Sequence, residues 1–291
     1  MDRYSEIIPD YDVFMEVVET HQPFDIRVNT NKTSIKEIKK SFKEQGIGFQ
    51  QRKWNEKFFK VDERPGKLFQ HWMGMIYSQE STSGIPPTAF NLKSNDKIID
   101  MCAAPGSKTT QISALMNNKG DILANDRYSN RIKSLLANIY RLGCLNVKVI
   151  ERDAREITER KKFDKVLIDS PCSAEGNLRE KEYLREGADP EDIRNISLLQ
   201  EQLLDKAFRL CKKGGEIVYS TCTFAPEENE LNVQKFLERG ELVDPKFCFE
   251  HSKGLIEWNG QKLSEELKKC VRVYPHQLDS GGIFIAKFKK M

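Results

Sequence analysis

Apolar positions at helical spacing open the chain: Val13, Phe14, Val17 and Val18 follow Pro9 and predict a helix over 10–18. Residues 25–30 alternate as a strand does. Ser34 and Glu37 have capping-box spacing ahead of Ile35, Ile38 and Phe42, and Gly46 follows as a stop, so a helix is predicted over 34–45. Strand-like runs at 48–54 and 57–62 complete a β-α-β-β order, which describes a small α+β domain over residues 1–70. From Leu92 the pattern changes to apolar runs alternating with helical periods. Strands are predicted at 97–101, 121–125, 147–151, 165–169 and 215–220, and helices at 106–116, 129–142, 190–211 and 226–239. Asp189 and Ser129 stand as helix caps and Gly143 as a stop. Residues 271–275 and 283–288 read as two further strands joined by the loop 276–282, a hairpin that closes one sheet edge. The expectation is an α/β, Rossmann-like domain over 71–291, with a seven-stranded, mostly parallel sheet covered on both faces.

Composition changes this picture little. The 291 residues carry 47 Lys plus Arg against 44 Asp plus Glu, a net charge of +3 that permits a nucleic-acid partner without pointing to one. The seven cysteines are odd in number and never spaced Cys-x-x-Cys, which argues against a disulfide framework and against a zinc site. Residues 1–6 lack a signal-peptide pattern and no apolar run approaches membrane-spanning length, so a soluble cytoplasmic protein in a reducing compartment is expected.

Candidate chemistry concentrates at predicted strand ends. The run Asp100-Met101-Cys102-Ala103-Ala104-Pro105-Gly106-Ser107-Lys108-Thr109 follows one strand and opens a helix, where small residues let backbone amides approach a ligand. Asp126 closes the second strand, about 20 residues on, where an acid typically holds ribose hydroxyls. Asp153 closes the third and Asp169 the fourth. Four acids in register and a single Gly at the turn suit the zwitterionic S-adenosylmethionine better than a pyrophosphate dinucleotide. Any one acid could equally be a cap or a surface charge. Lys108 near a helix N-terminus opposes the local dipole unless it has an anionic partner.

Two thiols sit at matched positions: Cys172 in Asp169-Ser170-Pro171-Cys172-Ser173 and Cys222 in Tyr219-Ser220-Thr221-Cys222-Thr223. A buried cysteine is ordinarily structural. Sequential parallel strands usually lie side by side, however, which would bring both thiols into one cleft. Methylation of a pyrimidine at C5 gives such a pair a reason. That carbon is a poor nucleophile until a thiolate adds at C6, and a second group must then help remove the C5 proton and free the enzyme. The predicted helix from Pro226 would favour a Cys222 thiolate. Asp169 could hydrogen-bond a cytosine ring nitrogen or amine.

These runs together resemble the NOP/Sun family of RNA cytosine-5 methyltransferases, and the resemblance spans nearly the whole chain. It rests on residues 100–109, on Asp-x-Pro-Cys at 169–172 and on Thr-Cys at 221–222, with Arg27-Val28-Asn29-Thr30, Tyr77-Ser78-Gln79-Glu80-Ser81 and Arg272-Val273-Tyr274-Pro275-His276 flanking them. It implies a class I S-adenosylmethionine-dependent fold with an RRM-like N-terminal domain, and similarity to the compact archaeal-type tRNA 5-methylcytosine enzymes. It also implies Cys222 as nucleophile and Cys172 as the release residue, with Asp169 and Lys108 beside them. DNA cytosine-5 methyltransferases use the Pro-Cys cysteine instead, and the Thr-Cys run decides against them. The implied cofactor set is Cys102, Ala103, Ala104, Pro105, Gly106, Ser107, Lys108, Asp126, Arg131, Asp153 and Asp169, with no metal. Two positions depart from the family pattern: Ser107 replaces a Gly of the cofactor loop, and Ala174 the Gly after Pro-Cys-Ser.

RNA is the implied partner, tRNA favoured and ribosomal RNA the alternative, through a flipped base and flanking phosphate contacts. Candidate contacts are Arg3, Arg27, Lys32, Lys36, Lys39, Lys40, Lys43, Arg179, Lys181 and Arg185. A thiol-independent amino methyltransferase would keep its activity without either cysteine, and a non-catalytic RNA-binding factor would bind RNA without consuming cofactor.

Overall fold

The computed structural model describes residues 1–158 and 162–291. Helix α1 (Tyr11–Val18) opens the chain, followed by strand β1 (Phe24–Val28) and helix α2 (Ile35–Glu44). Ser34 and Glu37 form the expected reciprocal cap of α2. Strands β2 (Phe49–Gln51) and β3 (Phe58–Val61), short helix α3 (Phe69–Trp72) and strand β4 (Ile76–Ser78) follow. The four strands make an antiparallel sheet in the order β2-β3-β1-β4, on which α2 buries Ile38 and Phe42 against Ile26, Val28, Phe59 and Val61. This sheet reaches past residue 70 through β4. Tyr4, Phe14 and Val18 belong instead to the core of the larger sheet, where Phe14 meets Phe224 and Tyr274 edge to face at 5.7 and 6.5 Å.

The larger sheet is built from β5 (Lys97–Asp100), β6 (Asp121–Asp126), β7 (Val147–Glu151), β8 (Phe163–Asp169) and β9 (Cys211–Thr221), all parallel in the order β9-β8-β5-β6-β7. Helices α4 (Ser107–Leu115), α5 (Ser129–Leu142) and α6 (Pro190–Leu210) connect them, and α7 (Glu230–Gln234) follows β9. Strands β10 (Gly240–Leu242) and β11 (Ser252–Lys253), the hairpin β12 (Glu257–Trp258) with β13 (Gln261–Lys262), strand β14 (Val271–Val273), helix α8 (Pro275–Leu278) and strand β15 (Ile283–Lys290) complete the chain. β15 lies antiparallel on β9, with β14 and β11 beyond it and β10 also paired to it. Alternation fills both faces: Val166 and Ile168 of β8 enter one apolar core, and Leu167 between them enters the other.

Three expectations change. Among the described residues the sheet has nine strands rather than seven, because β10 and β11, at three and two residues, are too short to show a period. The helix expected over 226–239 shrinks to Glu230–Gln234. Asn229 leaves helical geometry so that its side chain can accept from Thr221 (2.6 Å) and donate to the Thr223 carbonyl (3.0 Å), tying this turn to the end of β9. Ser129 is not a cap: Tyr128 precedes α5, and its N–H is taken by Asp126. Asp189 caps α6 and Gly143 ends α5 with φ +68° as expected. Among the described residues, no helix is long and apolar enough to cross a membrane.

Candidate active site

Chain order reverses direction at β5, with β6 and β7 on one side and β8 and β9 on the other, so a crevice opens beyond the carboxyl ends of these strands. The 100–109 loop turns there. Gly106 takes φ +103°, and a Cβ at this position would stand 2.9 Å from Leu135 Cδ1, so only glycine both turns the loop and packs it on α5. The amides of Ala103, Ala104 and Gly106 are bonded within the fold, to Asn125 O, Asp126 Oδ2 and Ala103 O. They brace the loop and are not free for a ligand, contrary to the simple amide-cradle expectation. Pro105 is exposed and Ser107 half-buried at the first turn of α4. Arg131 donates to the Ala104 carbonyl (2.5 Å) and lies 3.5 Å from Asp126 Oδ2, clasping loop and strand end together.

Asp126, Arg131, Asp153 and Cys102 line one cavity with Asn125, Tyr128, Pro171, Leu199 and Leu203. Asp153 is held by Arg155 (2.6 Å), which, with lesser help from Arg127, pulls its carboxyl down to about 2. Asp100, next in the chain to the cavity-lining Met101 and Cys102, accepts from Thr109 (2.6 Å) through Oδ2, while its buried Oδ1 has no partner among the described residues. Burial raises Asp100 to about 7 and outweighs the Thr109 hydrogen bond. An uncommitted buried carboxylate oxygen, an acid fixed at the β6 end and an apolar far wall fit a cofactor with a cationic end, a ribose and an aromatic base.

The Asp100 shift has a consequence for stability. An unfolded aspartate titrates near 4. The folded protein therefore binds an extra proton between about pH 4 and about 7, so the stability this group adds is fully present below about pH 4 and is lost as pH rises through about 7. Asp100→Asn removes that dependence. Without cofactor, its melting temperature is expected to fall less than the native protein's between pH 6 and 8, by about 2–4 °C per kcal/mol of stability at stake. Equal drops in both proteins would contradict the assignment.

The thiols meet as their strands do. β8 and β9 are adjacent, and Cys172 Sγ lies 3.2 Å from Cys222 Sγ, both half-buried at the crevice. Either sulfur could donate across this contact; with the proton on Cys172, the hydrogen bond draws Cys222 below the usual thiol range and pushes Cys172 well above it. Burial and Asp169 oppose the Cys222 anion, whereas Lys108 and the amide of Asn177, 3.5 Å from the sulfur, favour it. The activating potential thus comes from a thiol and a lysine, not from the helix expected at Pro226, which is absent. Lys108 finds its anionic partner in Asp169 (2.7 Å) and also donates to Ser83 (3.0 Å). Burial disfavours its charge, but Asp169 outweighs burial and its pKa is raised. Ser220 donates to the other Asp169 oxygen (3.0 Å), so that carboxylate is fixed from both sides and does not cap Ser173.

Several residues here carried no pattern. Glu175 is fully buried and accepts from Tyr4 (2.8 Å), Thr223 (2.9 Å) and the Ala188 amide, binding the N-terminal segment to both cysteine loops. Ala174 before it takes φ +60°, the left-handed geometry that a Gly at this position adopts without strain. Ser173 and Thr223 join the two loops at 2.6 Å. Among the expected RNA contacts, Arg27 is buried, bonded to Thr110 and placed over the Tyr77 ring. Arg179 is buried and bonded to Asp279 and to backbone at 20, 21 and 280. Neither reaches solvent, because each fills the seam between the chain's packed units. Arg3 pairs with Glu227, Arg185 with Glu19, and Lys32 donates to two backbone carbonyls. Lys36, Lys40, Lys43 and Lys181 stay exposed.

Fold and site together define a class I methyltransferase with a dithiol at the substrate end. Residues 87–289 match the family model of the 16S rRNA methyltransferase RsmB/F, and the chain belongs to that family. A tRNA (cytosine(49)-C(5))-methyltransferase of Pyrococcus abyssi is 36% identical, over 100% of this chain and 95% of that protein. A ribosomal RNA small subunit methyltransferase F of Shewanella piezotolerans is 38% identical over 91% of this chain, which spans only 57% of that longer protein. Among solved structures, a methyltransferase homologue from Pyrococcus horikoshii superposes with a TM-score of 0.89 at 35% identity, covering 100% of this chain and 94% of that one. NSun6 from Pyrococcus horikoshii, solved with SFG, gives 0.86 at 25% identity, covering 99% and 97%.

Proposed function

We propose that this chain is an S-adenosylmethionine-dependent RNA cytosine-C5 methyltransferase acting on tRNA in the cytoplasm, with Cys222 as nucleophile and Cys172 assisting release. The observation that carries the reading is the 3.2 Å thiol pair, with the Asn177 amide and the charge of Lys108 favouring an anion at Cys222, beside an Asp169 fixed by Lys108 and Ser220. The cofactor supplies an electrophilic methyl group. Cys222 adds to C6 of the cytosine, which gives C5 the character of an enamine carbon and lets it take the methyl. Asp169 bonds the ring nitrogen or amine. Once Cys222 is a thioether, Cys172 no longer donates to an anion and loses its own proton to solvent. It then takes the C5 proton, the C5–C6 double bond re-forms as the C6–S bond breaks, and Cys222 returns as thiolate.

Asp126 is the residue that would hold the cofactor's ribose, and Asp100 the one beside its cationic end. Arg131 and residues 102–107 shape the pocket, with Asp153 at its rim. The unit built on α2 and strands β1 to β4, with exposed Lys36, Lys40 and Lys43 on α2, contacts the RNA flanks, and the larger sheet with the N-terminal residues packed on it forms the catalytic domain. Identity over nearly the full length of the P. abyssi tRNA enzyme supports tRNA over ribosomal RNA. Incubation with radiolabelled cofactor and either bulk tRNA or 16S rRNA separates the two, with 5-methylcytosine expected in tRNA. Label found only in 16S rRNA would move the substrate, and label found on an amino nitrogen would overturn the chemistry.

A further inference from the structure

One carboxylate stands behind Cys172. Glu228 is fully buried, and its Oε2 accepts from the Ser173 amide (3.2 Å) and from Gln200 Nε2 (2.7 Å). The same Gln200 amide donates to the Pro171 carbonyl (2.8 Å). Pro171 and Ser173 flank Cys172, so Glu228 and Gln200 grip the cysteine's segment on both sides. Glu228 itself is anchored where Tyr219 donates to its backbone carbonyl (2.6 Å), and Asn232 fixes Gln200 (3.3 Å). Glu228 Oε1 has no hydrogen-bond partner among the described residues. The field across the thiols is therefore lopsided. Lys108 from α4 and Asp169 from β8 face Cys222, while Glu228 faces Cys172 with Tyr219 from β9 beneath, and Glu175 lies beyond Glu228.

We infer that Glu228 is a positioning residue that fixes the Cys172 segment and holds the single proton of the thiol pair on Cys172, leaving Cys222 as the anion. A negative charge near one sulfur and a positive charge near the other together decide which keeps the proton, and Lys108 alone is partly cancelled by Asp169. Burial raises Glu228's own pKa, and the Ser173 and Gln200 hydrogen bonds work to keep it ionised. The same charge makes Cys172 the more basic sulfur at release, and this second half rests on the reading of Cys222 as nucleophile.

Alkylation of the free protein by iodoacetamide, with each cysteine peptide quantified by mass spectrometry, tests the first half without RNA or cofactor. In the native protein Cys222 is expected to label at lower pH than Cys172, and the opposite order overturns the inference whether or not any variant folds. In Glu228→Gln the Cys222 to Cys172 labelling ratio is expected to fall about tenfold, equivalent to about one pKa unit. Glu228→Asp, which keeps the charge, is expected to restore most of the ratio. A folded Glu228→Gln protein with an unchanged ratio rejects the role. With tRNA and cofactor, Glu228→Gln is expected to accumulate more covalent RNA–protein complex than native protein. Failure of Cys172→Ala to trap RNA would sink the methyl-transfer reading while leaving the labelling ratio to decide this one.

Discussion

Cys222→Ala is expected to abolish methyl transfer, by on the order of 10⁴-fold or more, while binding of RNA and cofactor stays within about threefold. Binding survives because the side chain contributes little surface; chemistry does not, because C5 of cytosine has no other route to nucleophilicity. Cys172 cannot stand in, despite lying 3.2 Å away, since Lys108 and the Asn177 amide serve the Cys222 position and the attack geometry belongs to the end of β9. Serine in place of Cys222 should fare no better, because a hydroxyl is not ionised by a potential of this size. Methyl incorporation from labelled cofactor, with filter binding of RNA as the control, checks both halves. Residual activity within tenfold of native would mean that methylation proceeds without an adduct.

Cys172→Ala has the opposite signature. Attack and methyl transfer are expected to persist within about tenfold in a single turnover, while multiple turnover falls about 10²- to 10⁴-fold, the usual worth of a positioned proton-transfer group. The protein should then accumulate as a complex with RNA that survives denaturing electrophoresis and disappears in the Cys172→Ala, Cys222→Ala double variant. Truncating Cys172 also removes the hydrogen bond that favours the Cys222 anion, so the pH dependence of adduct formation is expected to move upward. A Cys172→Ala enzyme that turns over at the native rate would leave Cys172 a packing residue.

The pair was legible in the sequence because each cysteine closes an apolar strand run, and sequential parallel strands lie side by side. The 3.2 Å contact is that inference made spatial. The source of Cys222's activation was not legible. Residues 226–239 have helical periodicity, yet Glu228 spends its side chain on Ser173, 55 positions earlier, and Asn229 on the end of β9, and these non-helical bonds defeat the local preference. Arg27 and Arg179 show the same limit from another side. A charged residue near a chain's start or after a functional motif looks like a phosphate contact, and only tertiary packing reveals that it is buried in a seam. Glu175 was invisible because its three partners come from residues 4, 188 and 223. Strands β10 and β11 escaped because two or three residues carry no period.

The most direct test of the account uses native enzyme, cofactor and tRNA containing 5-fluorocytosine, whose C5 fluorine cannot leave as a proton does and so holds the adduct in place. Protease digestion and mass spectrometry then identify the residue joined to the base. The account predicts attachment at Cys222 alone, in the peptide that carries Ser220, Thr221 and Thr223. Attachment at Cys172 would reverse the roles of the two thiols, and no attachment at either would contradict covalent catalysis by this site.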